Sequence, residues 1–226
     1  MTTSAVLKRA LRHSAPVLAV VVALLGGCAT SEESKQKSKG FYQEGIANIE
    51  TDRQKAYVSF QKAVQVNPDN KEAHYGLGHI LVYQGKLSQA EAEFREALRI
   101  DPDYSEAHTY LGQVLANQDR WPEAIEEFRK ALSNPLYATP DLARFHLGKA
   151  LMHQGDFQAA MEALEDAASV EPSHVPPAAL SLELGRVYYK LGFERRAKEA
   201  LTKVTTLDKN GDYAIAAKDI LARLKP

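Results

Sequence analysis

The stretch Lys71–Tyr104 reads KEAHYGLGHILVYQGKLSQAEAEFREALRIDPDY, and the chain then repeats it twice in altered form. From Ser105 comes SEAHTYLGQVLANQDRWPEAIEEFRKALSNPLYATP; from Asp141, DLARFHLGKALMHQGDFQAAMEALEDAASVEPSH. Gly78, Gly112, Gly148 and Gly185 mark one point of successive units, at spacings of 34, 36 and 37 residues. Counted from each unit's start, Leu77, Leu111, Leu147 and Leu184 hold position 7, just before the glycine. Ala90, Ala124, Ala160 and Ala197 hold position 20. Position 24 is Phe94, Phe128, Leu164 and Leu201; position 27 is Ala97, Ala131, Ala167 and Val204. Two antiparallel helices approach closely only where side chains are small, which explains positions 8, 20 and 27. Large apolar residues at 7 and 24 fill the space that remains. Gly85, Asp119, Gly155 and Gly192 sit where the first helix should turn into the second, and each tolerates a left-handed backbone. Pro122 falls at the start of a second helix, where a missing N–H costs little. Pro102 and Pro172 stand beyond the ends of others.

This pattern resembles the tetratricopeptide repeat (TPR), a 34-residue helix–turn–helix unit. The resemblance covers residues 40–226 and implies an all-α, right-handed superhelical solenoid with a concave groove. An earlier, worn repeat shows in Phe60, Ala63 and Pro68, with a turn at Thr51–Arg53 that lacks glycine. Asp212–Leu224 (DYAIAAKDILARL) reads as one amphipathic helix that would cap the array, as solenoid ends require. The expected repeats lie near 40–70, 71–104, 105–140, 141–177 and 178–211, with a cap at 212–226: five repeats and about eleven helices. Two connections are longer than the repeat needs. Ser133–Pro140 (SNPLYATP) is expected to expose Leu136 and Tyr137, and His174–Pro177 (HVPP) adds three residues; both read as drift in tolerant loops.

Composition excludes several classes. The 226 residues carry 28 bases and 29 acids, for a net charge of −1, and 45% are hydrophobic. Neither wholesale disorder nor a basic nucleic-acid surface fits that balance. The single cysteine allows no internal disulfide and no cysteine zinc cage.

That cysteine has a different setting. Lys8, Arg9 and Arg12 precede an 11-residue apolar run, Ala15–Leu25, too short to span a bilayer and suited to a secretory h-region. Leu25-Gly26-Gly27-Cys28 then resembles the bacterial lipobox. The resemblance implies a signal peptide over 1–27, cleavage before Cys28 and acylation of its thiol, with two buried chains sufficient for stable anchoring. Residue 29 is alanine rather than aspartate, which by resemblance to the enterobacterial sorting rule implies the outer membrane, facing the periplasm. Without residues 1–27 the chain carries 25 bases against 29 acids, net −4. Thr30–Lys39 (TSEESKQKSK) has no apolar residue, so 28–39 reads as the lipidated cysteine and a flexible linker, whose ten residues reach at most ~33–36 Å.

No catalytic signature is present: no G-x-S-x-G, H-E-x-x-H, Walker loop or nucleotide fingerprint. His74 and His108 share one repeat position and read as packing. His146 and His153 lie seven apart with no acid at ligand spacing. Neither an enzyme, a metal site nor a cofactor is expected.

In the fold that the resemblance implies, first helices line the groove through positions 2, 5, 9 and 12. In repeats two and three these are Glu72, Tyr75, His79 and Val82, then Glu106, Thr109, Gln113 and Ala116, a polar and partly acidic strip. In repeats four and five they are Leu142, Phe145, Lys149 and Met152, then Ala179, Leu182, Arg186 and Tyr189. Apolar anchors framed by cations suit a peptide segment carrying an acid. The candidate binding residues are therefore Tyr75, His79, Phe145, Lys149, Met152, Leu182, Arg186 and Tyr189, with the last six expected to dominate. The Hsp-type carboxylate clamp is not matched.

The lipobox, the solenoid, and ALSNPLYATP (Ala131–Pro140) followed by LARFHLGKA (Leu142–Ala150) together resemble the type IV pilus biogenesis/stability lipoproteins of the PilF/PilW type. That resemblance implies protein partners, with secretin subunits as clients in outer-membrane assembly. An adaptor for cell-wall hydrolases or outer-membrane protein assembly is the alternative; a concealed enzyme or small-ligand binder is a remote one.

Overall fold

The structure, a computed structural model, describes residues 31–224. The expected signal segment 1–27 and the expected acylation site Cys28 lie outside the described residues. Among those described there are eleven α-helices and no strand. They are α1 (Glu32–Asn48), α2 (Arg53–Val66), α3 (Lys71–Tyr83), α4 (Leu87–Ile100), α5 (Ser105–Asn117) and α6 (Trp121–Ser133). Then follow α7 (Pro140–Gln154), α8 (Phe157–Ala168), α9 (Pro177–Lys190), α10 (Glu194–Leu207) and α11 (Asp212–Leu221).

Each odd helix packs on the even helix after it, and that packing depends on one glycine per pair. A methyl added at Gly78 would lie 2.7 Å from the Phe94 ring, at Gly112 2.6 Å from Phe128, at Gly148 2.6 Å from Leu164 and at Gly185 2.6 Å from Leu201. Ala90, Ala124, Ala160 and Ala197 are fully buried on the facing helix, as are Phe94, Phe128, Leu164 and Leu201. The worn first repeat obeys the same rule: Gly45 meets Phe60, and Ala56 and Ala63 are fully buried. Its turn needs no glycine because Asp52 caps α2, accepting a hydrogen bond from the Lys55 backbone N–H at 2.9 Å. At the other turns Gly85, Gly155 and Gly192 have φ of 72°, 83° and 77°, and Asp119 takes φ 60°.

The odd helices α1, α3, α5, α7 and α9 each touch the next odd helix, the last of these contacts being with α11, while no two even helices touch among the described residues. The odd helices therefore line the inner face of the curve and the even helices its outside. No helix among the described residues is long and apolar enough to cross a membrane.

Three expectations are corrected. The first concerns the linker, because α1 begins at Glu32 and so residues 32–39 are helical. Composition misled because this helix end is held by polar chemistry. The Ser31 side chain caps it by accepting from the Ser34 N–H, and Glu32 and Glu33 sit where the helix dipole favours acids. Ser38 is fully buried, donates to the Ala63 carbonyl at 2.7 Å and accepts from Asn70 Nδ2 at 2.8 Å.

The second concerns Tyr137, which is buried, not exposed; only Leu136 projects, 89% exposed. The longer connection lets Tyr137 fold back between Ala131 and Ala143 and place its hydroxyl 2.9 Å from Thr109 Oγ1. The third concerns the later connection, where Val175 is 1% exposed within the main core. Asp141, fully buried, accepts from the His174 backbone N–H at 2.5 Å and pairs with His174 Nδ1 at 3.1 Å. Burial pushes the Asp141 pKa up, but the two His174 contacts outweigh it and hold the carboxyl below its usual range. Both insertions therefore carry structural roles and are not free drift.

Candidate functional site

The concave face divides into an aromatic half and a cationic half. In the first, Tyr75 of α3 centres a cluster: its ring lies 5.4 Å from Tyr104, 5.6 Å from Tyr110 and 5.9 Å from Phe94. His79 stands edge-on to Tyr110 at 5.1 Å, and burial lowers its pKa. Burial also raises the pKa of Tyr75, Tyr104 and Tyr110, so all three stay phenols. Thr109, at a groove position, is fully buried beneath Tyr137. The half read as a polar strip is thus paved with tyrosine.

The other half holds two adjoining depressions. One, of about 150 Å³, is lined by Gln113, Ala116 and Asn117 of α5, Trp121 and Phe128 of α6, and His146, Lys149, Ala150 and His153 of α7. Trp121 and His153 form one wall, their rings parallel within 6° and 3.9 Å apart. The second depression, of about 220 Å³, shares Lys149 and His153 and adds Met152, Glu183 and Arg186. Arg186 is held by Glu183 at 2.8 Å. Lys149 extends over the Phe145 ring, 5.5 Å from its centre.

Of the residues expected to bind, Lys149, Met152 and Arg186 converge on these depressions. Tyr75 and His79 belong to the aromatic half, and Tyr189 is 36% exposed on α9. Leu182 and Phe145 are corrected. Leu182 is 3% exposed, packed with Leu201, Val204 and Ala217; Phe145 is 8% exposed within the main core. Both occupy position 5, which faces the neighbouring repeat once the solenoid closes, so little of either side chain is left to contact a partner. Position 6 instead reaches the groove, through Tyr110 in α5 and His146 in α7. Trp121 and His153 were also missed. The lone tryptophan at a second helix's first turn was the one available signal for that wall. Among the described residues no three His, Cys, Asp or Glu side chains converge as metal ligands would.

His74 and His108 tie the first helix of their repeats to the second as repeated packing units. His74 Nδ1 is 2.7 Å from Glu93 and its Nε2 2.9 Å from the Pro68 carbonyl; His108 makes the same pair with Glu127 (2.6 Å) and Pro102 (2.9 Å).

Three tetratricopeptide-repeat models match the chain, over residues 49–94, 75–143, and 143–174 with 178–210. The chain belongs to the tetratricopeptide-repeat family. TPR families are generally non-catalytic scaffolds that bind protein or peptide partners. No curated protein matches by sequence. Solved TPR structures do match in fold. PilW, titled a widely conserved type IV pilus biogenesis factor, is 24% identical with a TM-score of 0.69, over 83% of this chain and 91% of its own. The pilF protein of Pseudomonas aeruginosa is 19% identical, TM-score 0.69, over 86% and 95%. YrrB, titled a TPR protein with an unusual peptide-binding site, is 22% identical, TM-score 0.63, over 83% and 95%. At these identities the likeness is one of fold.

Proposed function

We propose that this TPR protein is a lipid-anchored scaffold of the outer membrane, facing the periplasm, that takes a protein segment in its concave groove and assists type IV pilus biogenesis, with secretin subunits as clients. The observation that carries the binding role is the pair of adjoining depressions on the inner face, where Lys149, Met152 and Arg186 meet the Trp121–His153 wall. The pilus assignment is supported by the lipobox-like segment before Cys28, by the Ala131–Ala150 segment, and by agreement in fold with PilW and the Pseudomonas pilF protein over most of the chain.

A photo-crosslinking residue at Met152, in protein expressed with its own signal segment, tests the groove and the client together. Secretin subunits in the crosslinked product are the expected result. Murein hydrolases or outer-membrane assembly factors in their place would favour the adaptor reading. Labelled palmitate should enter the wild-type protein and not Cys28→Ser; label in the variant would remove the anchor from the proposal.

A further inference from the structure

The His146 imidazole lines the first depression. It is half-buried, and neither ring nitrogen makes a hydrogen bond among the described residues. Its ring stacks on Phe128 at 5.9 Å and meets Phe145 edge-on at 5.3 Å, so aromatic carbon, not a polar group, holds it in place. A ring nitrogen without a protein partner, open toward a depression, is free to take its partner from a ligand. The remaining lining has one sign. Lys149 supplies a fixed positive charge, Gln113 and Asn117 supply amides, and no acid borders this depression.

We propose that the depression between repeats three and four is a carboxylate subsite, which receives an aspartate or glutamate side chain of an extended partner segment between the Lys149 ammonium and the His146 imidazole, against the Trp121–His153 wall. The proposal rests on the groove reading above but not on which protein supplies the segment. A side chain fits better than a chain end because the depression does not stop there. It continues past Lys149 and His153 into the second depression, so a bound segment can run on toward Met152 and Arg186.

The electrostatics give the subsite a signature. Burial, with Lys149 beside it, pushes the His146 pKa down to about 3, so the free protein holds the imidazole neutral. The groups facing it are Lys149 and His153 from its own helix, Gln113 and Asn117 from α5, and Trp121 and Phe128 from α6. Glu183 and Arg186 of α9 lie in the second depression, and α8 lines neither. An incoming carboxylate is therefore the one negative charge at the ring. It favours the imidazolium, so binding should raise the pH at which His146 takes up its proton.

The test is a proton NMR titration of the folded protein with acetyl-Leu-Glu-Leu-amide, against acetyl-Leu-Gln-Leu-amide and acetyl-Leu-Gln-Leu with a free C terminus. The glutamate peptide should shift the His146 ring signals and move their titration midpoint upward, and should bind about tenfold more tightly than the glutamine amide. Lys149→Met keeps the stem over Phe145 and should remove that tenfold preference. Equal response to the glutamate and glutamine amides, or silence at His146 with millimolar peptide, overturns the subsite. Response to the free C terminus alone overturns the side-chain assignment. Crosslinking at Met152 that persists in either case leaves the groove reading intact, so the two failures are distinct.

Discussion

Gly112→Ala should destabilise the protein even though alanine is the better helix former. A methyl there would lie 2.6, 2.8 and 2.9 Å from three atoms of the Phe128 ring, against an ordinary contact of about 3.4–4.0 Å. Phe128 is fully buried and faces the equally buried Ala124 and Leu111, so its ring has little room to withdraw. Overpacking of this kind costs about 1–3 kcal/mol. Replacing glycine within a helix returns about 1 kcal/mol. The single variant should therefore lose between roughly 0 and 2 kcal/mol. Phe128→Ala alone should lose about 3–5 kcal/mol by leaving a cavity. In the double variant the clash is gone and the propensity gain remains, so the two changes should be non-additive by about 1–3 kcal/mol, in the stabilising direction. Urea denaturation followed by Trp121 fluorescence measures this at the right place. Trp121 is the chain's single tryptophan and stacks on His153 at the same junction. Additivity within about 0.5 kcal/mol, with Gly112→Ala as stable as wild type or more so, would refute the packing argument.

Three further outcomes follow from the geometry. Burial works against the charged form of His74, but Glu93 and the Pro68 carbonyl outweigh it and hold its pKa above 6.5. The stability it contributes is complete below pH 6.5 and lost as pH rises through the folded value, so Glu93→Gln should flatten the decline in denaturation midpoint from about pH 6 to 8. Tyr137→Phe leaves Thr109 Oγ1 buried without its tyrosine partner and should cost about 1 kcal/mol, read by thermal melting. Glu126→Ala, exposed on the outside of α6, should stay within about 0.5 kcal/mol of wild type by the same melt.

Glycine spacing made the solenoid legible because each contact made by a position-8 glycine is set within one repeat: Gly112 against Phe128 needs no knowledge of any neighbour. The groove is a property of how repeats are set against each other, and the sequence register carries that only indirectly. Position 5 shows the difference. Tyr75 opens onto an aromatic cluster there, Thr109 is covered by Tyr137, and Phe145 and Leu182 are taken into the core. Polar helix ends were hidden for a different reason. The Ser31 cap and the Ser38 hydrogen bonds use residues whose composition reads as linker, so only the bonded geometry separates helix from coil.

The two depressions flank α7, and the two lengthened connections flank its repeat, α7 with α8. Repeat spacing is 34 residues where Tyr75, His79 and Tyr110 close the inner face, and 36 and 37 where the depressions lie. At each longer junction the added residues wedge a side chain into the packing, Tyr137 before α7 and Val175 after α8. Asp141, at the start of α7, ties the second connection down through His174. Repeat four is thereby set off from its neighbours on both sides by inserted, anchored residues, and its first helix supplies His146, Lys149, Met152 and His153 to the binding face. The insertions that break the 34-residue rule and the helix that carries the candidate site are thus one construction. Shortening Ser133–Pro140 to the standard length should close the first depression and bury Lys149 against α5. If peptide affinity survived that deletion in a folded protein, the depression would not be where the segment binds.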